Sequence, residues 1–368
     1  MSSTSTVQSS ATSSEKAASK PFCLVKSSIN IDETFAVPHI VKPGETISST
    51  GLTSRPGGKG ANVSAAIALA GATVTLSGAV GKDAPWPVDE LKSRGVDTSS
   101  IETLEDTPTG RAFIQIAEDG ENSIVLLKGA NFATGSKSSD PAHAFKNAAQ
   151  QPTHLVLQNE IPLETTVDFL KYAKTESPVH VTTVFNPSPM LTSNQVSDFP
   201  WSHIDVLIVN EGEGLELLSV LSPHDHEKLA SLPTGAEKST NVLHTLSTLP
   251  QLSSTPWIVL TRGGAGVMAH VQLASQQQRS FFDIAPFKPR QVKDTTGAGD
   301  TFAGNLVAAL MGVNVDPDSA LLSSAKPSSQ HFVTSALEWA SKAASLACEK
   351  EGAMQSIPKA QDVKARTA

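Results

Sequence analysis

Cysteine is nearly missing from this chain. Only Cys23 and Cys348 occur among 368 residues, so no disulfide framework is indicated and a reducing compartment suits the protein. A cytoplasmic location, with the nucleus as an additional one, is the expectation. No apolar run approaches the roughly 18–20 residues of a membrane-spanning helix. Basic residues are not in excess either: 28 Lys and Arg stand against 36 Asp and Glu, a net charge of −8. Nucleic acid usually demands a basic face, so neither nucleic acid nor membrane is an expected partner. Familiar chemical motifs are also absent. There is no GxxxxGKS or GxxxxGKT loop, which excludes the commonest phosphate cradle. No GxGxxG follows a strand, which weakens a dinucleotide site. HExxH, paired CxxC and the GxSxG elbow of hydrolases are missing as well.

What is present favours a globular chain. Hydrophobic residues make up 39% and charged residues 17%, enough to build a core. Residues 1–20 are mostly Ser, Thr and Ala and read as a disordered tail; residues 361–368 read as a second tail. Between them, FCLVKSSINID (22–32), ATVTLSGAVG (72–81), HLVLQNE (154–160), VHVTTVFNPSP (179–189), IDVLIVNEGE (204–213) and WIVLTRGG (257–264) are apolar, β-branched runs ending in polar residues or glycine. Helical stretches lie at 57–72, 163–175, about 211–220 and about 240–249. Strand and helix in alternation predict an α/β fold with a mostly parallel sheet covered on both faces. Ligands bind such sheets outside the carboxyl ends of the strands. Residues 31–50 and 109–128 break the alternation. They predict antiparallel strands of a small separate sheet over those ends, the second pair joined at Asp119-Gly120. Residues 221–256 read as a surface insertion with one helix. The HDHE at 224–227 has no third ligand at a standard spacing and reads as a solvated loop.

The stretch DTTGAGDTFAG (294–304) carries the strongest chemistry. Gly297, Ala298 and Gly299 offer closely spaced amides at the mouth of a helix, whose positive end suits a phosphate. Asp300 beside such a site can take a proton from an attacking hydroxyl while the amides hold developing charge; as an alternative it merely caps the helix. GGKGAN (57–62) is a second glycine turn entering a helix, with Lys59 and Asn62 as donors. In SINID (28–32), Asn30 and Asp32 project to one side of an extended backbone, suited to vicinal hydroxyls or to an Asx turn. In VNEGEG (209–214), Asn210, Glu211 and Glu213 fit either a helix dipole or a magnesium ion held through water. LTRGGAG (260–266) closes a strand with a turn suited to a nucleotide base, or to a hairpin.

Together these segments resemble the ribokinase-like sugar kinases, the phosphofructokinase-B family, over residues 22 to 360. GGKGANVSAAIALAGA looks like the family's amino-terminal signature and DTTGAGDTFAG like its carboxyl-terminal one. SINID, GENSIVLLKGAN, LQNEIP, FNPSP and LIVNEGEG add to the match. The resemblance implies a Rossmann-like domain (residues 21–360) with a β-sheet lid, often shared in a homodimer. It implies ATP-dependent phosphorylation of a sugar hydroxyl, O5 in ribose, with ATP, Mg2+ and K+ as cofactors. By similarity, Asn30, Asp32, Gly58, Lys59, Gly60, Ala61, Asn62 and Glu160 contact the sugar. Asp300 is the base, and Gly297, Ala298 and Gly299 form the anion hole. Asn210, Thr261, Arg262, Gly263, Gly264, Ala265, Gly266 and Gly299 line the nucleotide, with Glu213 toward magnesium. Asp294, Thr296, Ala347, Lys350, Gly352 and Ser356 surround the monovalent cation. Arg111, in the lid, departs from an apolar family position, and Arg262 from a common Leu. The rival readings are the same chemistry on another sugar or a nucleoside, and a non-catalytic binding protein on the same scaffold.

Overall fold

The computed structural model describes residues 20–366 apart from residue 134. The expected amino-terminal tail therefore lies outside the described residues, save for its last one. Nine strands form the main sheet in the order β13-β12-β11-β10-β9-β8-β1-β4-β5. They are β1 (Cys23–Lys26), β4 (Val74–Gly81), β5 (Ile101–Leu104), β8 (His154–Gln158), β9 (Thr182–Asn186), β10 (Val206–Asn210), β11 (Trp257–Thr261), β12 (Val267–Gln272) and β13 (Arg279–Ile284). All pairings from β5 to β11 are parallel, and β12 and β13 continue the sheet as an antiparallel edge. The chain winds outward from β1 through β4 to β5, then returns to β8 on the other side of β1. The reversal between β1 and β8 opens a crevice at the strand ends.

Alternating side chains sort the core into two layers. Val25, Val156, Val206, Ile208 and Val259 face one cluster, while Leu24, Leu155, Leu207, Val209 and Ile258 face the other. The first layer is roofed by helices Lys59–Leu69, Ala298–Leu310 and Gln330–Ala347. The second is roofed by Leu163–Thr175, Glu211–Leu221 and Ala236–Thr248. Helix Gln330–Ala347 buries Phe332, Val333, Ala336, Leu337 and Ala340, a helical stripe, and each large apolar side chain so buried contributes about 1.5–3 kcal/mol. Helices Lys59–Leu69 and Ala298–Leu310 approach unusually closely because small residues meet. A side chain at Gly304 would stand 2.5 Å from the Ala66 methyl and 2.8 Å from the Val63 carbonyl. That contact fixes the separation of the polar residues at the two helix starts.

The small sheet has the order β3-β2-β6-β7, with β2 (Asn30–Val37), β3 (Gly51–Gly57), β6 (Gly110–Ala117) and β7 (Asn122–Leu127). It corrects the sequence reading twice. The second strand of the first pair lies at 51–57 and not within 31–50, since Pro38 and the Lys42-Pro43-Gly44-Glu45 turn interrupt the ladder. The central β2–β6 pair is also parallel, flanked by antiparallel partners. Two further corrections concern the ends of the reading. Residues 221–256 hold two α-helices, Pro223–Ala230 and Ala236–Thr248, and Val242, Leu243 and Leu246 are fully buried. Polar outer faces hid the stripe. Much of 361–368 is likewise helical, Ala360–Ala365, with Val363 buried and Arg366 bonded to Glu349 at 2.8 Å. No helix among the described residues is long and apolar enough to cross a membrane.

Candidate active site

Asp300 sits in the first turn of helix Ala298–Leu310, buried at the crevice. Its Oδ2 accepts a 2.8 Å hydrogen bond from Asn62 Nδ2, across the close helix contact described above. Burial raises its carboxyl pKa, and Glu160 and Glu213 push the same way, while Lys59 and the Asn62 bond pull it back. Lys59 feels the converse. Burial alone would lower its ammonium, but Asp300, Glu160 and Glu213 outweigh that and raise it. Glu160 follows β8, and its Oε2 accepts the Lys59 amide at 3.0 Å and the Ser28 hydroxyl at 2.5 Å. Asp32, on β2, is raised to about 6 by burial and by the charges of Glu160 and Asp300. Three carboxylates thus converge on one lysine. The Asn62 Oδ1 and Gln158 Oε1 atoms are buried with no protein partner, an arrangement that suits the hydroxyls of a polar ligand.

A cavity of about 340 Å³ opens beneath the small sheet and reaches this cluster at Glu160; Asn30, Arg111, Leu126, Asn131 and Asn159 are among its other walls, while Asp32, Lys59, Asn62 and Asp300 lie outside its lining. Asn131 was not anticipated, although it closes the GENSIVLLKGAN stretch. It is buried, accepts the Ile29 amide at 2.8 Å and donates to Asn30 Oδ1 at 2.6 Å, so it fixes the start of β2 at the cavity. Ser28 was missed too. It holds Glu160, accepts the Gly60 amide at 3.5 Å, and its carbonyl accepts the Ala61 amide at 3.0 Å. Gly60 and Ala61, expected to contact substrate, therefore have their amides engaged by the framework. Gly58 caps the helix in front of them.

The anion end is built on Gly297, whose φ of +76° is open to glycine and whose missing side chain makes room for Ala353, 2.7 Å from where a Cβ would stand. The Ala298 amide turns back to the Thr295 carbonyl at 3.2 Å. The amides of Gly297, Gly299 and Asp300 meet no protein acceptor among the described residues, the last two as first-turn amides of a helix are left free. On the far side, a second cavity of about 340 Å³ is lined by Thr261, Gly263, Gly264, Gly266, Pro286, Phe287, Val292, Ala298, Gly299, Phe302 and Cys348. It is apolar enough for a flat base, and its Pro286, Phe287, Val292 and Cys348 walls had no sequence signal. The glycine turn also joins β11 to β12 as a hairpin. Asn210, Arg262 and Ala265 line a neighbouring open groove of about 520 Å³. Arg262 is not free for a ligand there, because its guanidinium binds Asp283 at 2.5 Å with little exposure. The largest groove, about 950 Å³ along β13 and Arg366, contains none of the expected residues.

Two ion sites were expected, and the residues present fit both. Asp294 accepts the Thr296 amide at 2.9 Å and the Gly352 amide at 2.8 Å, drawing the 349–358 loop onto the anion turn. Burial opposes the Asp294 charge, but those bonds and Arg55 hold its carboxyl below the ordinary range. Gly352 and Ser356 are buried, and the Gly352 carbonyl accepts no protein hydrogen bond among the described residues. Gln355 Oε1 is likewise buried without a partner, while the Ala347 carbonyl accepts the Lys350 amide at 3.1 Å. An all-oxygen set of this kind suits a hard cation. Asn210 and Glu213 form a reciprocal helix cap, with both bonds at 2.9 Å. One Glu213 oxygen is left for a hydrated ion. No group of three or more His, Cys, Asp or Glu residues that could hold a metal ion exists among the described residues.

The model of the pfkB family carbohydrate kinases matches residues 20–360. The ribokinase of Haemophilus influenzae is 31% identical over 340 residues, 92% of this chain and 95% of that protein. Among solved structures, ribokinase from Cryptococcus neoformans var. grubii in complex with ADP is 40% identical with a TM-score of 0.79, covering 95% of this chain and all of that one. Arabidopsis thaliana ribokinase complexed with ribose and ATP shares the fold at 24% identity and a TM-score of 0.73, covering 94% of this chain and 98% of its own.

Proposed function

This chain belongs to the pfkB family of carbohydrate kinases, and on that premise we propose that it transfers the γ-phosphoryl group of ATP to O5 of D-ribose. The observation that carries the reading is Asp300, a buried carboxylate beside free first-turn amides and bonded to Asn62 at 2.8 Å. The sugar occupies the cavity beneath the small sheet, held by Asn30, Asp32, Lys59, Asn62 and Glu160. Its primary hydroxyl gives a proton to Asp300, and the oxygen attacks the phosphorus. The amides of Gly299 and Asp300 take up charge on the transferring group, as phosphoryl transfer requires. The nucleotide base lies against the apolar cavity beyond Gly299, and the small sheet keeps water from the phosphoryl group.

Glu213 would hold a hydrated magnesium ion, which would neutralise charge on the phosphates. Asp294, Gly352, Ser356 and neighbouring carbonyls would hold a monovalent cation, which would steady the anion turn. The small sheet also leaves Ile116, Ile124 and Leu126 exposed on one face, an apolar area suited to the same sheet of a second copy. A homodimer is the proposed assembly.

The test is a coupled assay over pentoses, hexoses and nucleosides with wild-type protein and Asp300→Asn. Wild type is expected to prefer D-ribose. Removing a general base costs about 10²- to 10⁴-fold in kcat, with ribose binding retained. A variant that folds and phosphorylates ribose at the wild-type rate overturns the mechanism; a preference for another acceptor overturns the substrate.

A further inference from the structure

The cavity lies between the small sheet and the body of the molecule, so its width depends on how the two are held together. What holds the two together is therefore functional. One chain of polar contacts crosses the boundary. Ser54 on β3 donates to Glu33 Oε2 at 2.8 Å. Glu33 on β2 receives Arg111 Nη1 at 2.9 Å, and Arg111 on β6 sends Nη2 to Asp83 Oδ2 at 2.7 Å. Asp83 lies on the body, two residues past β4. Its other oxygen accepts the Thr109 amide at 2.8 Å, and the Thr109 hydroxyl is in turn bonded to the Gly81 and Ala84 carbonyls at 3.2 and 3.0 Å. Thr109 is the residue at which the chain leaves the body for β6.

Among the described residues, Arg111 is thus the one cation ion-paired with both a lid carboxylate and a body carboxylate. The β2–β6 register sets Arg111 beside Ile31, and Glu33 two residues further on the same face, opposite to Asn30 and Asp32. Its charge is engaged by its two partners at the edge of the cavity it helps to line. Without it, Glu33 and Asp83 would repel across the gap. The other lid-to-body ion pair among the described residues, Arg55 with Glu351, is 3.8 Å long and its carboxylate is mostly exposed.

We propose that Arg111 is a positioning residue, a latch that holds strands β2, β3 and β6 down on the body through Asp83 and so sets how readily the sugar cavity closes. This rests on the sugar-kinase reading of the cavity. The latch is partly exposed, which limits its strength and makes it sensitive to salt.

The test compares Arg111→Met, Asp83→Asn and the double variant with wild type. Asp83→Asn keeps an acceptor for the Thr109 amide and removes only the charge, and it stands in should Arg111→Met fold poorly. Hydrogen–deuterium exchange of sugar-free protein is read over Gly110–Ala117 and Asn122–Leu127. Both single variants are expected to exchange faster there, with main-sheet helices unchanged. The KM for D-ribose is expected to rise by about three- to five-fold, the scale of one partly exposed pair, while kcat stays within about twofold. The double variant should do no more than the stronger single one. Raising salt from about 50 to about 500 mM should raise the wild-type KM and leave that of Arg111→Met unmoved. Unchanged lid exchange, or additive effects of the two substitutions, overturns the latch. Exchange needs no turnover. A wild type inactive on pentoses would therefore sink the proposed reaction while the exchange result still decided the latch.

Discussion

Replacing Asp32 with Asn should make the ligand-free protein more stable while weakening its hold on sugar. In the folded state the Asp32 carboxyl sits at about 6, above its ordinary 3.8, because it is buried and faces Glu160 and Asp300. A raised acid binds its proton more tightly in the folded than in the unfolded chain. Stability from this group is therefore complete below about pH 4, declines as pH rises toward 6, and is gone above it. About two pH units at about 1.4 kcal/mol each give up to ~3 kcal/mol of strain at neutral pH. Asn has the same shape without the charge. With an unfolding entropy of about 2.1 cal/mol/K per residue, that gain corresponds to a Tm rise of about 4 °C. Calorimetry without ligand, at intervals from pH 4.5 to 8, reads it directly: the lead of Asp32→Asn over wild type should be small at the acid end and largest at pH 8. Titration with D-ribose should show weaker binding by the same variant. A lead that does not grow with pH, or a variant less stable at pH 8, would refute the picture of a carboxylate held among like charges.

Three further outcomes follow from the same geometry. The kcat/KM for ribose should fall toward acid, since Asp300 works ionised and burial raises its pKa, with Asp32 at about 6 entering the same limb; a flat profile from pH 8 down to 5 would contradict this. Replacing K+ by tetramethylammonium should cut turnover, because that ion is too bulky for a loop drawn in by Asp294 and Gly352, and an unchanged rate would exclude the cation site. Light scattering should give twice the 38.5 kDa chain mass, and Ile116→Glu with Ile124→Glu on the exposed sheet face should return it to the monomer; a monomeric wild type would end the dimer proposal.

The chain itself determined more than its layers. Period-two apolar runs separated by helical stripes are local patterns, so the α/β sheet and the helix 163–175 were legible directly. So were Gly297–Asp300 and Asn62, because an acid behind a glycine turn at a helix mouth is a local arrangement with few alternatives. What the sequence could not show depended on partners far along the chain. Residues 221–256 looked like a polar insertion because their helices bury only one stripe each. Gly60, Ala61 and Arg262 looked available for ligands until Ser28 and Asp283 were seen to occupy them. Asn131 and the walls of the apolar cavity act through contacts about a hundred residues distant or more, and Arg111 stood out only as an odd charge in a strand. Spacing along a chain decides which groups a helix end or a strand presents. Which of those groups remain free is decided by packing, since a buried donor or acceptor must find a partner wherever the fold brings one.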